Sequence, residues 1–213
     1  DQLRACFGAD DLLGSDPHEP GPGLWGKKGA VEHALQTLTE AEDTVVLYGD
    51  ESDFGRYPCM GNDWSRQACQ EKVRTKGKNK KRYLFGAREA RTGHLYVRWA
   101  RKKNGSNFVA FLKSLVRHFA GLRILLILDN FKVHTCRLVE RWLGETQAPV
   151  DRLFLPTYSP WLNLIENDWR ALKRRVHMNT WRDTTGQIVR DVSRTLLAMH
   201  ATILLPALKP GST

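Results

Sequence analysis

Residues 155–174, LPTYSPWLNLIENDWRALKR, predict the end of a strand, a turn bounded by prolines and then a helix. Ser159 can cap that helix and Pro160 can take its first position, where the missing N–H would be unpaired anyway. The apolar residues recur at spacings of three and four, which predicts one buried stripe: Leu162, Ile165, Trp169, Leu172 and Val176. Glu166 lies beside this stripe, about two turns into the predicted helix. We therefore expect its carboxylate at the margin of the core, where a metal-binding acid would need to be.

The composition of the whole chain favours a polyanionic partner. The 213 residues include 33 basic and 23 acidic side chains, which give a net charge of +10, and 41% are apolar. A chain of this length and composition can bury one substantial core. The positive surplus does not specify a fold, but it favours nucleic acid over an anionic membrane surface as the partner. A basic protein without such a partner is the alternative that charge alone leaves open.

The cysteines and the apolar runs bear on the cellular compartment. The four cysteines contain no C-x-x-C pair, so we expect reduced thiols and neither a disulfide framework nor a zinc site: Cys6, Cys59, Cys69 and Cys136. No signal-peptide pattern opens the chain, and the longest apolar run, residues 124–128, is too short to span a bilayer. We expect a soluble protein that is not secreted and has no membrane partner. The start at Asp1, without an initiator methionine, suggests a fragment or a processed chain.

Changes in composition divide the chain into three parts. Residues 1–40 contain a run rich in proline and glycine and are predicted to be a linker or arm, partly irregular. Residues 41–200 carry the alternation of strand and helix patterns of one folded domain, and residues 201–213 are predicted to be a flexible tail. Thr184 and Gln187 offer a capping box to the last helix of the domain.

Two predicted strands end in an acid. Residues 44–50, TVVLYGD, end at Asp50, and residues 124–129, ILLILD, end at Asp129. The five consecutive apolar residues of the second run suit a strand that is buried on both faces. Strand ends deliver side chains to the sheet edge at which open α/β folds bind ligands. A single aspartate in such a position is more often a turn or cap residue, and that interpretation stays open for each acid alone.

Neighbouring polar residues compete for the same roles. Glu51 is expected to point to the opposite sheet face from Asp50, and Asp168 is expected on a different helix face from Glu166. Glu166 alone could be a solvated helix residue. His134 is expected to cap or buttress the helix that follows Asp129, with contact to DNA or to a water in the site as the alternative.

Taken together, Asp50, Asp129 and Glu166 predict a metal site. Three clustered carboxylates without a cation would repel one another and raise each other's pKa. Oxygen-rich sites suit Mg²⁺ or Mn²⁺, and phosphate oxygens can complete the coordination shell. Two such ions about 3.5–4 Å apart can stabilise both the attacking and the leaving oxygen of a displacement at phosphorus. With a basic surface for the polyanion, the reaction class is phosphodiester cleavage or transfer.

A dense run of positive charge precedes two further predicted strands. Residues 72–82 hold seven basic residues and no acid. Such runs are most often solvated loops, but beside the predicted metal site contact with phosphates is the better interpretation. The candidate DNA contacts are Lys72, Arg74, Lys76, Lys78, Lys80, Lys81 and Arg82 from this run, with Arg170, Lys173 and Arg174 from the helix of Glu166.

Three motifs together resemble the mariner-type transposases and their bacterial insertion-sequence relatives, within the DDE endonuclease superfamily. They are Asp50-Glu51-x-x-Phe54, then Leu128-Asp129-Asn130 followed by His134, and the long motif from Leu155 to Lys173. Asp129 and Glu166 are 37 positions apart, similar to the close spacing of the family. The resemblance covers about residues 40 to 180. It implies an α/β, ribonuclease H-like fold, with a central mixed five-stranded sheet flanked by helices and a catalytic, metal-binding triad of Asp50, Asp129 and Glu166.

The resemblance also implies an activity and its setting. It implies hydrolysis at transposon ends that depends on two Mg²⁺ or Mn²⁺ ions, followed by strand transfer to target DNA. It also implies that the active complex is a homodimer and that the protein lies in the bacterial cytoplasm, associated with the nucleoid. Leu164 stands where the family commonly has proline, and Asn167 where an acid is frequent. The family's N-terminal helix-turn-helix modules have no counterpart in residues 1–40, which suggests a catalytic domain with part of its linker.

The sequence also allows two alternatives to a transposase. Residues 21–28, GPGLWGKK, resemble a P-loop and would make the chain a nucleoside triphosphatase that depends on Lys27. That match lacks a preceding strand, contains Pro22 and has Lys28 where the loop needs Ser or Thr. The other alternative is a catalytically inactive remnant that binds DNA.

Overall fold

The computed structural model describes residues 42–58, 75–155 and 163–205. Within these ranges six strands occur: β1 (Thr44–Gly55), β2 (Lys81–Glu89), β3 (Leu95–Ala100), β4 (Arg123–Leu128), β5 (Val150–Phe154) and β6 (Thr202–Ile203). The helices in the same ranges are α1 (Gly105–His118), α2 (Arg137–Thr146), α3 (Ile165–His177) and α4 (Thr185–Ala198). None of the helices described is long and apolar enough to cross a membrane. The predicted arm, the glycine-rich residues 21–28 and three of the cysteines lie outside the described residues, whereas Cys136 is a free thiol.

The strands form one mixed sheet in the order β5-β4-β1-β2-β3-β6. The pairs β1–β2 and β2–β3 are antiparallel, whereas β1–β4, β4–β5 and β3–β6 are parallel. A mixed sheet flanked by helices was predicted, but with five strands. The sixth, β6, falls in residues 201–213, which were predicted to be a tail. Its pairing with β3 and the buried side chains of Ala201 and Leu204 hold this segment in the sheet, and residues 206–213 lie outside the described residues.

The helices pack on both faces of the sheet, because strand residues alternate between two apolar clusters. One cluster joins α1 and Val139 of α2 to Val45, Leu126 and Phe85 of the strands. The other joins α3 and α4 to the opposite face, where Leu84 lies beside Phe85 in sequence but on the other side of β2. All five apolar residues of β4 are buried, as expected for a strand covered on both faces.

Strand β1 is longer than its sequence predicted. The apolar run was expected to end at Asp50, yet β1 continues to Gly55, and residues 50–55 pair with residues 86–81 of β2. Aspartate and, to a lesser degree, glutamate have low strand propensity, but the ladder to β2 and the burial of Glu51, Ser52 and Phe54 outweigh it. Asp50 therefore lies within a strand, and the β1–β2 ribbon extends beyond the end of β4.

Helix α3 starts later in the sequence than predicted. It begins at Ile165, so Glu166 is in its first turn instead of two turns inside; the predicted cap, Ser159 and Pro160, lies outside the described residues. The Asn163 side chain donates a hydrogen bond of 3.1 Å to the Gly49 carbonyl, and it ties the approach to α3 onto β1. The predicted apolar stripe is buried from Ile165 to Val176. An acid in the first turn benefits from the positive end of the helix dipole.

Candidate active site

Asp50 on β1 and Asp129, the residue directly after β4, lie at the same level of two neighbouring parallel strands. In the register of β1 and β4, Tyr48 is opposite Ile127. Two further residues along each strand reach Asp50 and Asp129, although β4 itself ends at Leu128. The parallel register thus places the two predicted acids at the same level of the sheet.

Glu166 approaches the same place from the helical layer. Burial, together with repulsion from Glu166, Glu51 and Asp129, raises the pKa of Asp50 to about 7, although a hydrogen bond from the Glu51 backbone lowers it. Since these repulsions act on the Asp50 carboxyl group, Glu166 and Asp129 both lie within electrostatic range of Asp50. Three separate elements, β1, the end of β4 and α3, bring them together.

The Asp129 side of the site is held by His134, which is fully buried. Its Nδ1 lies 3.2 Å from Oδ1 of Asp129 and 3.1 Å from the Asp129 carbonyl, while its Nε2 lies 2.7 Å from Oε1 of Glu51. Burial lowers the pKa of His134, but the hydrogen bonds to Asp129 and Glu51 outweigh it and raise the pKa to about 9. The imidazolium therefore donates to both acids at neutral pH, and the bond from His134 is the main cause that lowers the pKa of Asp129.

Glu51 and Asp50 point to opposite sheet faces, as the alternation of a strand predicts. Asp50 accepts a hydrogen bond from the indole of Trp169 on α3, whereas Glu51 reaches His134, whose ring packs against Phe108 of α1. Sequence reasoning treated Trp169 as core only and considered His134 mainly as a cap. The spacing of Asp129 and His134 was visible in the sequence, but nothing there linked His134 to Glu51.

Lys103 is a basic residue of the site that sequence reasoning missed. Its Nζ donates a hydrogen bond of 3.2 Å to the Glu51 carbonyl and lies 5.9 Å from the centre of the Phe131 ring. After His134, its charge also helps to lower the pKa of Asp129. Phe131 is a partly exposed aromatic residue two positions after Asp129. The signal in the sequence was the basic run at residues 101–103, directly before α1.

Two of the basic residues predicted on α3 share a helical face with Glu166. Arg170 and Lys173 follow Glu166 by four and seven residues, so they lie on its side of the helix. Lys173 packs its Nζ 5.9 Å from the ring centre of Phe54 on β1. Arg170 is exposed and donates to Asn167 at 3.3 Å, and Arg174 is exposed one position beyond Lys173.

The described part of the basic run forms a loop fixed to the end of the β1–β2 ribbon. Arg56 donates to the Lys78 carbonyl at 3.5 Å, the Tyr57 hydroxyl donates to the Gly77 carbonyl, and the Tyr57 N–H donates to Asn79. Three lysines of this loop have exposed side chains: Lys76, Lys78 and Lys80.

The remaining predicted contacts of the run differ in their surroundings. Lys81 forms an ion pair of 2.7 Å with Asp53, and Arg82 donates to the Lys81 carbonyl at 3.1 Å. Lys72 and Arg74 lie outside the described residues. Lys81 is therefore already paired with an acid, whereas the three loop lysines present their charge to solvent.

Residues 45–186 match a protein-family model described as "DDE superfamily endonuclease". The chain belongs to this superfamily. It is 32% identical over 179 residues to the "Insertion element IS630 uncharacterized 39 kDa protein" of Shigella sonnei, and this match covers 83% of the chain and 50% of the relative. The chain thus spans about half the length of the curated relative that it matches.

Solved structures show the fold that this DDE domain shares. It is similar to the Mos1 transposase paired-end complex with left transposon end, at a TM-score of 0.62 and 17% identity. The Mos1 mariner paired-end complex with Mn gives a TM-score of 0.62 and 18% identity. Each match covers 92% of this chain and 62% of the other. The fold is ribonuclease H-like, as predicted, with six described strands instead of five.

The acids of the DDE domain fit a hard divalent cation by their chemistry. Three carboxylates at one end of a parallel strand pair offer oxygen ligands of the kind that Mg²⁺ and Mn²⁺ prefer. Within residues 42–58, 75–155 and 163–205, however, no three His, Cys, Asp or Glu side chains are already grouped tightly enough to hold a metal ion. The repulsion that raises the pKa of Asp50 opposes such convergence, and a bound cation would remove it.

Proposed function

We propose that this DDE domain catalyses metal-dependent phosphodiester hydrolysis at transposon ends and then strand transfer to target DNA at the same site. The observation that carries the proposal is the placement of Asp50 beside Asp129 by the parallel register of β1 and β4, with Glu166 close enough to act on the same carboxyl group. The membership of the DDE endonuclease superfamily supports the reaction class.

We assign the catalytic and metal-binding roles to Asp50, Asp129 and Glu166. These carboxylates would hold Mg²⁺ or Mn²⁺, and we propose two ions. When bound, the ions would supply Lewis acidity toward the phosphodiester and neutralise charge on the attacking and leaving oxygens. The chain's own contribution is orientation, since Glu51 holds His134, His134 contacts Asp129, and α3 carries Glu166 in its first turn.

DNA is the proposed partner, and the charges suggest its path. From Asp50 to Gly55 the β1–β2 ribbon extends about 17 Å, at roughly 3.3 Å per residue, toward the loop that carries Lys76, Lys78 and Lys80. Lys173 flanks the same ribbon from α3. A duplex with one phosphate in the acid site would therefore pass along the ribbon and place further phosphates at the basic loop.

The setting of the reaction is proposed as well. We propose residues 41–200 as the catalytic domain, which the family match over residues 45–186 supports, and β6 extends its sheet beyond residue 200. We also propose a homodimer in the active complex and a site of action at the bacterial nucleoid. The P-loop alternative gains no support from the family match, which begins after residues 21–28.

The test of the proposed function is strand cleavage by an Asp129→Asn variant. Plasmid nicking with Mg²⁺ or Mn²⁺ is expected in the wild-type protein and is expected to be lost in Asp129→Asn, with DNA binding retained. Asp151→Asn is the matched control, because Asp151 is a half-exposed aspartate of β5 that pairs with Arg123 away from the site. Equal nicking by Asp129→Asn would refute the assignment. No cleavage by the wild type, with DNA binding intact, would favour the inactive remnant.

A further inference from the structure

The indole of Trp169 is the hydrogen-bond donor that the structure aims at Asp50. Nε1 of Trp169 lies 3.0 Å from Oδ2 of Asp50, and the Trp169 side chain is 2% exposed. An indole N–H can only donate, so this contact favours the ionised carboxylate and fixes which oxygen it presents to the indole. Burial of the large ring holds the donor in one orientation.

Gly86 makes room for that indole on the neighbouring strand. In the register of β1 and β2, Gly86 is directly opposite Asp50. A Cβ atom at Gly86 would lie 2.5 Å from Cη2 and Cζ2 of Trp169 and 3.0 Å from Cδ1 of Ile165. Since real contacts of this kind are not that short, only glycine lets the ring lie against the β2 backbone. A glycine weakens a strand interior, and its presence there is typical of such a close approach.

Helix geometry couples the same indole to Glu166. Trp169 follows Glu166 by three residues, so the two side chains are neighbours on the helix surface. One turn of α3 therefore carries Glu166 and also contacts the carboxylate of Asp50. Asp168, next to Trp169, also ties this turn of α3 to the sheet, because it accepts two hydrogen bonds of 2.8 and 2.9 Å from Nη1 of Arg88 on β2.

We propose that Trp169 is a positioning residue that sets the Asp50 carboxylate for metal binding, and that Gly86 is required because it admits the indole. This inference rests on the proposed function, since it assumes that Asp50 is a metal ligand. Residues that orient metal ligands in this way change metal affinity by about 10- to 100-fold when they are replaced. This role of Trp169 differs from a packing role because it depends on the indole N–H group.

The decisive variant is Trp169→Phe, which keeps an aromatic ring and removes the N–H. Its matched control is Trp99→Phe, because Trp99 packs against the same apolar cluster and its Nε1 donates a hydrogen bond of the same 3.0 Å length to Ser193. Mn²⁺ affinity is measured by calorimetry on each protein, and thermal stability is measured in parallel. We expect Trp169→Phe to weaken Mn²⁺ binding about 10-fold or more, and Trp99→Phe to leave it unchanged at a similar loss of stability.

Several outcomes would overturn the proposal. Wild-type Mn²⁺ affinity in Trp169→Phe, or equal weakening in both tryptophan variants, would reduce Trp169 to a packing role. Gly86→Ala is expected to reproduce the Mn²⁺ defect of Trp169→Phe, and a folded Gly86→Ala protein with normal Mn²⁺ binding would contradict the role of Gly86.

An Asp50→Asn variant separates this inference from the proposed function. A wild-type Mn²⁺ site that Asp50→Asn abolishes and Trp169→Phe leaves intact would refute only the positioning role. Mn²⁺ binding that is absent from the wild type or insensitive to Asp50→Asn would refute the metal site, and with it both proposals.

Discussion

Nε2 of His134 lies 2.7 Å from Oε1 of Glu51, and neither side chain is appreciably exposed. This contact crosses from the end of β4 to the face of β1 that points away from Asp50. Because the other nitrogen of His134 contacts Asp129, the buried pair connects Glu51 on β1 to Asp129 after β4. Glu51 therefore helps to orient Asp129 through His134, whereas Asp50 faces α3.

The first prediction concerns this buried pair. Glu51→Gln keeps the shape of the side chain but removes the negative charge that faces the imidazolium. We expect DNA cleavage to fall about 10- to 100-fold, as for other residues that orient a metal ligand, with little change in DNA affinity. Glu145→Gln is the control, because Glu145 is an exposed glutamate of α2. Unchanged cleavage by Glu51→Gln would show that the pair does not act on Asp129.

The candidate acids could be singled out from the sequence because local patterns mark the elements that carry them. Five apolar residues before Asp129 identify a buried strand, and the stripe through Ile165 and Trp169 identifies the buried face of α3. Such signals are local, and the resemblance to a family supplies the pairing of elements that they leave open. The predicted capping box of Thr184 and Gln187 is confirmed, since both of its hydrogen bonds form.

The features that sequence reasoning missed depend on contacts between distant residues. The run from Asp50 to Asp53 looks like the end of a strand, and only the ladder to β2 makes it a continuation. The start of α3 depends on Asn163 and Gly49, which are 114 positions apart. The short β6 depends on the edge of β3, where the N–H of Leu204 donates to Val97 at 2.7 Å. No local periodicity encodes such partners.

The second prediction concerns the basic loop. Joint replacement of Lys76, Lys78 and Lys80 by alanine is expected to weaken DNA binding on all sequences alike. The salt dependence should become shallower by about 0.9 in log–log slope for each lysine that contacts a phosphate. Alanine replacements of three exposed arginines on α2 and α4 are the control: Arg141, Arg190 and Arg194. Binding is measured by fluorescence anisotropy at roughly 50 to 200 mM salt. An unchanged slope in the lysine variant would show that the loop is solvated and does not contact phosphates.

The third prediction concerns the pH dependence of stability. Burial lowers the pKa of His177, and the charge of Arg182 lowers it further, with Lys173, Asp53 and the Tyr57 backbone also facing the ring. Below its ordinary pKa of about 6.5, His177 binds a proton more readily in the unfolded chain, so folding stability falls as the pH decreases. We expect His177→Gln to remove up to about 1.4 kcal/mol of this loss per pH unit below 6.5. Denaturant unfolding at several pH values measures it, with the exposed His118→Gln as control; parallel curves for wild type and His177→Gln would contradict the prediction.

The fourth prediction concerns the approach to α3. The Asn163 side chain is 6% exposed and donates to the Gly49 carbonyl, directly before Asp50. Asn163→Ala leaves that buried carbonyl without its donor, so we expect a loss of about 1–3 kcal/mol in the free energy of unfolding. Because Glu166 follows Asn163 by three residues, cleavage should fall by more than the unfolded fraction explains. Arg175→Ala, at an exposed position in the last turn of α3, should change neither quantity appreciably. If the cleavage rate of Asn163→Ala, corrected for the folded fraction, equals that of the wild type, the contact stabilises the fold without positioning Glu166.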